Sequence, residues 1–283
     1  MWVLIISLCT QIQPRPFCIV APPTLYKTIC PFGDEGVFCH GRSVGNGTSG
    51  SCSNRSLRPR LLRKHRNILI FVVDDLGYGD VGAYGGGESL GAPTPHIDRL
   101  AREGLKLTST YAQPSCTPTR AALNTGRLPV RSGLTSPKLL NDNADISSEL
   151  LAAKILSSAG YRTALSGKWH LGEKDGSRPW QVGFDEFTGF LGVANAYQED
   201  HPSASDVVND PELLAQLRSM PGSRDLWSAT KEGGGKSLGQ INWSNDATLD
   251  QKFAAFSEGF IRRSVKSGKP FYLSHNFTKV HYF

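Results

Sequence analysis

At 283 residues, with 39% hydrophobic and 20% charged side chains, the chain has room for a sizeable core and a globular composition, which excludes a fibrous or wholly disordered protein. No apolar run approaches the ~20 residues of a membrane-spanning helix, so no membrane span is expected. The formal charge of +6 is concentrated in residues 1–66, where nine Lys and Arg face only Asp34 and Glu35; the rest is close to neutral, and no nucleic-acid partner is expected for it.

In chain order, Met1–Cys9 is apolar but lacks a basic start and a clean small-residue cleavage site, so it reads poorly as a signal peptide. Residues 14–66 are rich in Pro, Gly, Ser and Arg without helical or strand periodicity, and residues 1–66 are expected to be a basic, disordered extension. Five cysteines (Cys9, Cys18, Cys30, Cys39, Cys52) fall within it, odd in number and without C-x-x-C spacing, so neither a zinc site nor a disulfide framework follows. Asn46, Asn54, Asn242 and Asn276 head glycosylation sequons, which matter only in a secretory pathway.

From Asn67 the pattern sharpens. Ile68–Val73 is a continuous apolar, β-branched run that predicts a strand buried on both faces and ending in Asp74-Asp75. Thr94-Pro95 through Gly104 predicts a short helix with Pro at its first position. Thr117 and Pro118 fit the cap and first position of another, which leaves Cys116 at its N-terminus. Ser147–Ala159 predicts a helix with Leu151 and Ile155 on one face and Gly160 as its stop, followed by a strand over Tyr161–Leu165 running into Lys168-Trp169-His170. Gly233-Gly234-Gly235 marks a surface excursion within residues 195–247, suited to substrate-shaping loops. Thr248–Arg263 spaces Leu249, Phe253, Phe256 and Phe260 for one helix face, with Thr248 and Gln251 at capping-box separation; Phe271–Phe277 reads as a final strand leading to His281. Alternating strands and helices predict an α/β fold with a largely parallel (mixed) central sheet flanked by helices, occupying residues 67–283.

Three of these strands deliver polar groups past their C-terminal ends, the edge at which open α/β sheets bind ligands: Asp74 and Asp75, Lys168 and His170, and His281. A helix N-terminus at Cys116, with Arg120 one turn on, favours an anion. Paired carboxylates at a strand end suit a hard divalent cation. Each group also has an ordinary reading: a buried Cys, a carboxylate capping a turn, an exposed Lys, a hydrogen-bonded His. Their joint placement favours a single site.

Together Val73–Asp80 (V-D-D-L-G-Y-G-D), Cys116-Thr117-Pro118-Thr119-Arg120 with Thr125-Gly126-Arg127, and Gly167–Gly172 (G-K-W-H-L-G) resemble the sulfatase family, arylsulfatases in particular, over residues 67–283. The resemblance implies an alkaline-phosphatase-like sulfatase fold and sulfuric ester hydrolysis. It implies that a separate maturation enzyme oxidises Cys116 to formylglycine, whose hydrate attacks the sulfur of a sulfate ester and later releases sulfate. Asp74 and Asp75, with the converted Cys116, would hold calcium (or magnesium). Arg120 would steady the formylglycine, Lys168 and His281 would contact sulfate, and His170 would orient or deprotonate a hydroxyl. The expected substrate is a sulfate-ester small molecule or glycan, and the expected location is extracytoplasmic. Thr119 departs from the commoner Ser, and Asn124 from an apolar residue. Family members continue to an Asp-Asn pair and a further Lys, so the chain is expected to be a C-terminally truncated, N-terminal portion. A phosphonate or phosphodiester hydrolase of the same superfamily, and an inactive truncated chain, are the alternatives.

Overall fold

The computed structural model describes residues 2–8, 17–18, 65–138, 144–192 and 225–279. The apolar run at the start of the body forms β3 (Asn67–Val73), buried along most of its length. Before it come β1 (Trp2–Leu8) and the two-residue β2 (Phe17–Cys18). Residues 2–8 of the extension expected to be unstructured thus pair antiparallel with β3, Trp2 opposite Val73 and Leu8 opposite Asn67. An extended segment leaves its backbone N–H and C=O groups to be paired, and β3 offers it an edge. The expectation for residues 9–16 and 19–64 lies outside the described residues.

After β3 follow α1 (Pro95–Glu103), β4 (Gly104–Leu105), α2 (Cys116–Thr125), α3 (Pro129–Ser132), α4 (Ala152–Ser158) and β5 (Arg162–Lys168). The chain continues through β6 (Glu186–Phe190), β7 (Asp225–Thr230), β8 (Gly234–Gln240), α5 (Trp243–Asp246), α6 (Leu249–Ser267) and β9 (Phe271–Asn276). Among the described residues the main sheet runs β1-β3-β9-β5-β6-β7-β8. Its centre, β3-β9-β5-β6, is parallel, while β1, β7 and β8 add antiparallel edges. This is the predicted mixed α/β sheet.

The parallel strands bury both faces, as their apolar runs require. Against one face α6 packs Phe260 with Leu69, Ala164, Phe271 and Leu273. On the other, Ala121 of α2 and Ala153 of α4 meet Ile70, Val72, Leu165 and Tyr272. The two helix layers bring the N-terminus of α2 to the carboxyl ends of β3 and β5, which is where the polar residues lie.

Local readings differ in four places. Helix α4 starts only at Ala152, because Asp145 accepts from Ser147 N and Ser177 Oγ and holds the preceding residues in a turn; Leu151 is buried outside the helix and Ile155 is 53% exposed. The capping box at Thr248 does not form: the Thr248 hydroxyl donates to Asn245 O, and the reciprocal cap is made by Asn242 and Asn245 one turn earlier. Helix α6 runs on to Ser267, stopped by the left-handed Gly268. The glycine-rich stretch is not a loop excursion but the hairpin joining β7 to β8 at the sheet edge.

Candidate active site

Strand β3 ends by delivering Asp74, 2% exposed, into a buried cluster. Helix α2 opens beside it. Its cap is the extended Ser115, and Thr119 N donating to Ser115 O is the first helical bond. The helix thus starts at Cys116, earlier than the Thr117 cap expected from sequence, with Pro118 in the first turn, where a missing N–H costs no helical bond. One turn on, Arg120, 1% exposed, donates Nη2 to Asp74 Oδ2 (3.0 Å) and Nη1 to the Lys168 carbonyl (2.7 Å).

Strand β5 supplies Lys168, 2% exposed, whose Nζ donates to the same Asp74 Oδ2 at 3.0 Å. Gly167 before it has φ +92°, and a Cβ there would stand 1.7 Å from Asn276 O. Ser166 bonds to α6 through Ser257, yet Lys168 reaches the rim at Asp74, so the left-handed glycine is the break in strand alternation that makes this possible. His170 follows, with Nε2 2.7 Å from the Lys138 carbonyl. A carbonyl only accepts, so Nε2 carries the proton and Nδ1 is the acceptor. Nδ1 is buried and has no hydrogen-bond partner among the described residues; the same is true of Arg120 Nε. Asp75 and His170, at φ +62° and +60°, are the non-glycine residues with positive φ among those described. Both lie at this rim, and positive φ at a non-glycine residue is backbone strain that the surrounding structure must hold.

Two cations share one carboxylate oxygen here, leaving the buried cluster with surplus positive charge. Burial first, and the Arg120 guanidinium second, push the Lys168 ammonium below its usual pKa; Asp74 and Cys116 oppose them. Burial, followed by the Lys168 charge, takes the His170 imidazole down to about 3, so the ring is neutral at pH 7. Two buried cations, an Arg120 N–H with no hydrogen-bond partner among the described residues and a helix N-terminus together suit a tetrahedral oxyanion.

Asp74, Cys116, Arg120, Lys168 and His170 are therefore brought to one rim, with Cys116 a half-buried free thiol. Asp75 follows Asp74 but is exposed, and His281 lies outside the described residues. Asp74 and Asp75 are hard oxygen donors, yet no group of three or more His, Cys, Asp or Glu able to hold a metal occurs among the described residues. This donor set alone does not complete a calcium shell, which takes six to eight oxygens. A cavity of about 310 Å³ lined by Gly82, Ala83, Asp98, Ala101, Arg102 and Lys106 shares no residue with the cluster.

Sequence reasoning missed Asn276. It is 3% exposed, donates Nδ2 to the Lys168 carbonyl (2.7 Å) and accepts from Ser274 Oγ (2.9 Å). Its sequon reading fails, since a buried, doubly bonded amide cannot carry a glycan in this fold. Asn242 Oδ1 accepts from Asn245 N in its helix cap.

An open α/β sheet with two buried cations beside a helix N-terminus at its carboxyl rim is an arrangement suited to holding an oxyanion. Residues 66–283 match the sulfatase family model. Human N-acetylgalactosamine-6-sulfatase is 42% identical over 133 residues, 44% of this chain and 25% of that protein; arylsulfatase A of Bos taurus is 34% identical over 227 residues, 76% and 41%. Among solved structures, the PsFucS1 sulfatase from Pseudoalteromonas sp. is 44% identical with a TM-score of 0.68, covering 75% of this chain and 43% of that one. The chain belongs to the sulfatase family, and its fold is the alkaline-phosphatase-like fold of sulfatases in part. It spans about a quarter to two-fifths of the length of these curated relatives.

Proposed function

We propose that this chain carries the nucleophile and anion-binding half of a sulfuric ester hydrolase centre acting on a sulfate-ester small molecule or glycan. The observation that carries the reading is Asp74 Oδ2 held by both Arg120 and Lys168 beside the helix N-terminus at Cys116. A sulfate ester brings the negative charge that the cluster lacks. Arg120 and Lys168, locked by burial, orient it and stabilise charge on its oxygens at the transition state. Cys116, converted to formylglycine by a maturation enzyme and hydrated, supplies one hydroxyl to attack sulfur and a second to expel sulfate. His170, neutral with its lone pair on Nδ1, takes a proton from that side chain. His281, placed by sequence just beyond β9, is assigned to sulfate and the leaving oxygen.

In this reading Asp74 and Asp75 would contribute two carboxylates to a calcium or magnesium ion, which would supply Lewis-acid polarisation of a sulfate oxygen. A glycan substrate is favoured by the relative named for N-acetylgalactosamine 6-sulfate hydrolysis and by a Ps i-CgsB structure, 27% identical, in complex with k-i-k-neocarrahexaose. An extracytoplasmic location belongs to the same proposal.

The test is turnover of 4-nitrophenyl sulfate against an aryl phosphonate, together with the mass of the peptide containing Cys116. The expected results are conversion of the thiol to the aldehyde and faster sulfate cleavage. Cys116→Ala should abolish hydrolysis with the melting temperature unchanged. Faster phosphonate cleavage would move the assignment to a phosphonate hydrolase. An unmodified thiol and no turnover would mean an inactive chain.

A further inference from the structure

We propose that Thr117 is a positioning residue, acting through the backbone of Lys138 to hold the His170 ring with its proton on Nε2 and its lone pair on Nδ1. Thr117 is fully buried in the first turn of α2, next to Cys116, and its Oγ1 accepts the N–H of Lys138 at 3.1 Å. The carbonyl of the same residue accepts from His170 Nε2 at 2.7 Å. Both backbone groups of Lys138 are thus engaged, one by the helix that carries the nucleophile position and one by the imidazole after β5.

This strap decides the chemistry of the ring. Neutral imidazole has two tautomers of similar intrinsic energy, and only the one with hydrogen on Nε2 can donate to a carbonyl. The bond therefore leaves Nδ1 as a buried acceptor without a hydrogen-bond partner among the described residues. Leaving a buried acceptor open costs the desolvation of that group, so its persistence points to a donor that arrives with the site in use. With Thr117 Oγ1 removed, the Lys138 N–H loses its acceptor, the carbonyl drifts, and the ring is free to place its proton on Nδ1. The consequence for turnover rests on the hydrolase reading above, in which Nδ1 accepts a proton from side chain 116; the tautomer itself does not.

The experiment reads the ring directly. Nitrogen-15 NMR of the labelled full chain at pH 7, with His170 signals assigned by their loss in His170→Asn, gives the fraction of each tautomer. Wild type and Thr117→Ser are expected to hold the Nε2–H form, and Thr117→Val to show a several-fold rise in the Nδ1–H form. Thr117→Ala removes the same acceptor and replaces Val if that variant does not fold. With 4-nitrophenyl sulfate, the Val variant should lose about tenfold or more in kcat with KM little changed, since a general base contributes roughly a hundredfold or more, and Ser should restore it. A wild-type ring protonated on Nδ1, or a tautomer ratio that Thr117→Val and Thr117→Ala leave unchanged while the melting temperature falls, would overturn the proposal. A tautomer that responds as expected in a chain without turnover upholds the strap and overturns the hydrolase reading.

Discussion

Asp74 is the residue on which the cluster balances. It faces two cations, all three groups are at most 2% exposed, and removing the one carboxylate charge leaves Arg120 and Lys168 repelling each other out of water. Asp74→Asn should therefore cost about 3–5 kcal/mol, read as a lower urea midpoint, even though the side chain keeps its shape. His275 makes a second prediction. It is 2% exposed, its Nδ1 lies 2.8 Å from Ser257 Oγ and 3.0 Å from Ser166 Oγ, and burial lowers its pKa to about 4 against the opposing Asp250 charge. The unfolded chain takes up a proton near the ordinary value of 6.5 and the native state refuses it until about 4. The contribution is complete above pH 6.5 and is lost as pH falls towards 4, at up to about 1.4 kcal/mol per unit. His170 is depressed in the same direction, so His275→Gln should flatten the slope of stability between pH 7 and 5 without abolishing it. Asp74, Arg120, Lys168 and His170 were legible in the sequence because charged groups at strand ends and helix starts have few ordinary uses together. Asn276 was hidden by its sequon, and Thr117 because its hydroxyl serves another residue's backbone instead of a cap.

Elements with one dominant signal were equally legible. The apolar runs of β3 and β9 and the phenylalanine spacing of α6 each state a face to bury, and Phe253 and Phe260 are at most 1% exposed as that spacing demands. Phe260→Ala should lower stability by about 3–5 kcal/mol in urea unfolding, since the ring fills the space between α6 and the sheet. Signals that depend on partners elsewhere misled. The Ser147–Ala159 periodicity ignored the hydrogen bonds of Asp145 with Ser177, and the glycines at 233–235 allowed either a loop or a turn with an extended flank. Gly167 shows why glycine position matters more than glycine content. It needs a left-handed backbone, and the Asn276 carbonyl occupies the place of its Cβ. Gly167→Ala should push β5 and β9 apart, which amide exchange would report as lost protection over residues 162–168 and 271–276.

At the scale of the molecule, the sheet is parallel at its centre and closed at each margin by an antiparallel strand. The parallel centre followed from strands separated by helical stretches; the antiparallel margins did not, because the partner of β3 comes from residues 2–8, where sequence showed only an apolar start. Deleting residues 1–8 should uncover the full edge of β3 and raise the proportion of associated species in light scattering. Strand order has one more consequence, for synthesis. Strand β9 is the last made of the described strands yet it sits between β3 and β5, and from it Asn276 supplies the second donor to the Lys168 carbonyl, 108 residues away in sequence. A nascent chain thus carries a cleft between β3 and β5 until β9 emerges to act as the keystone, and any helper that shields newly made apolar surface has its clearest target in that gap.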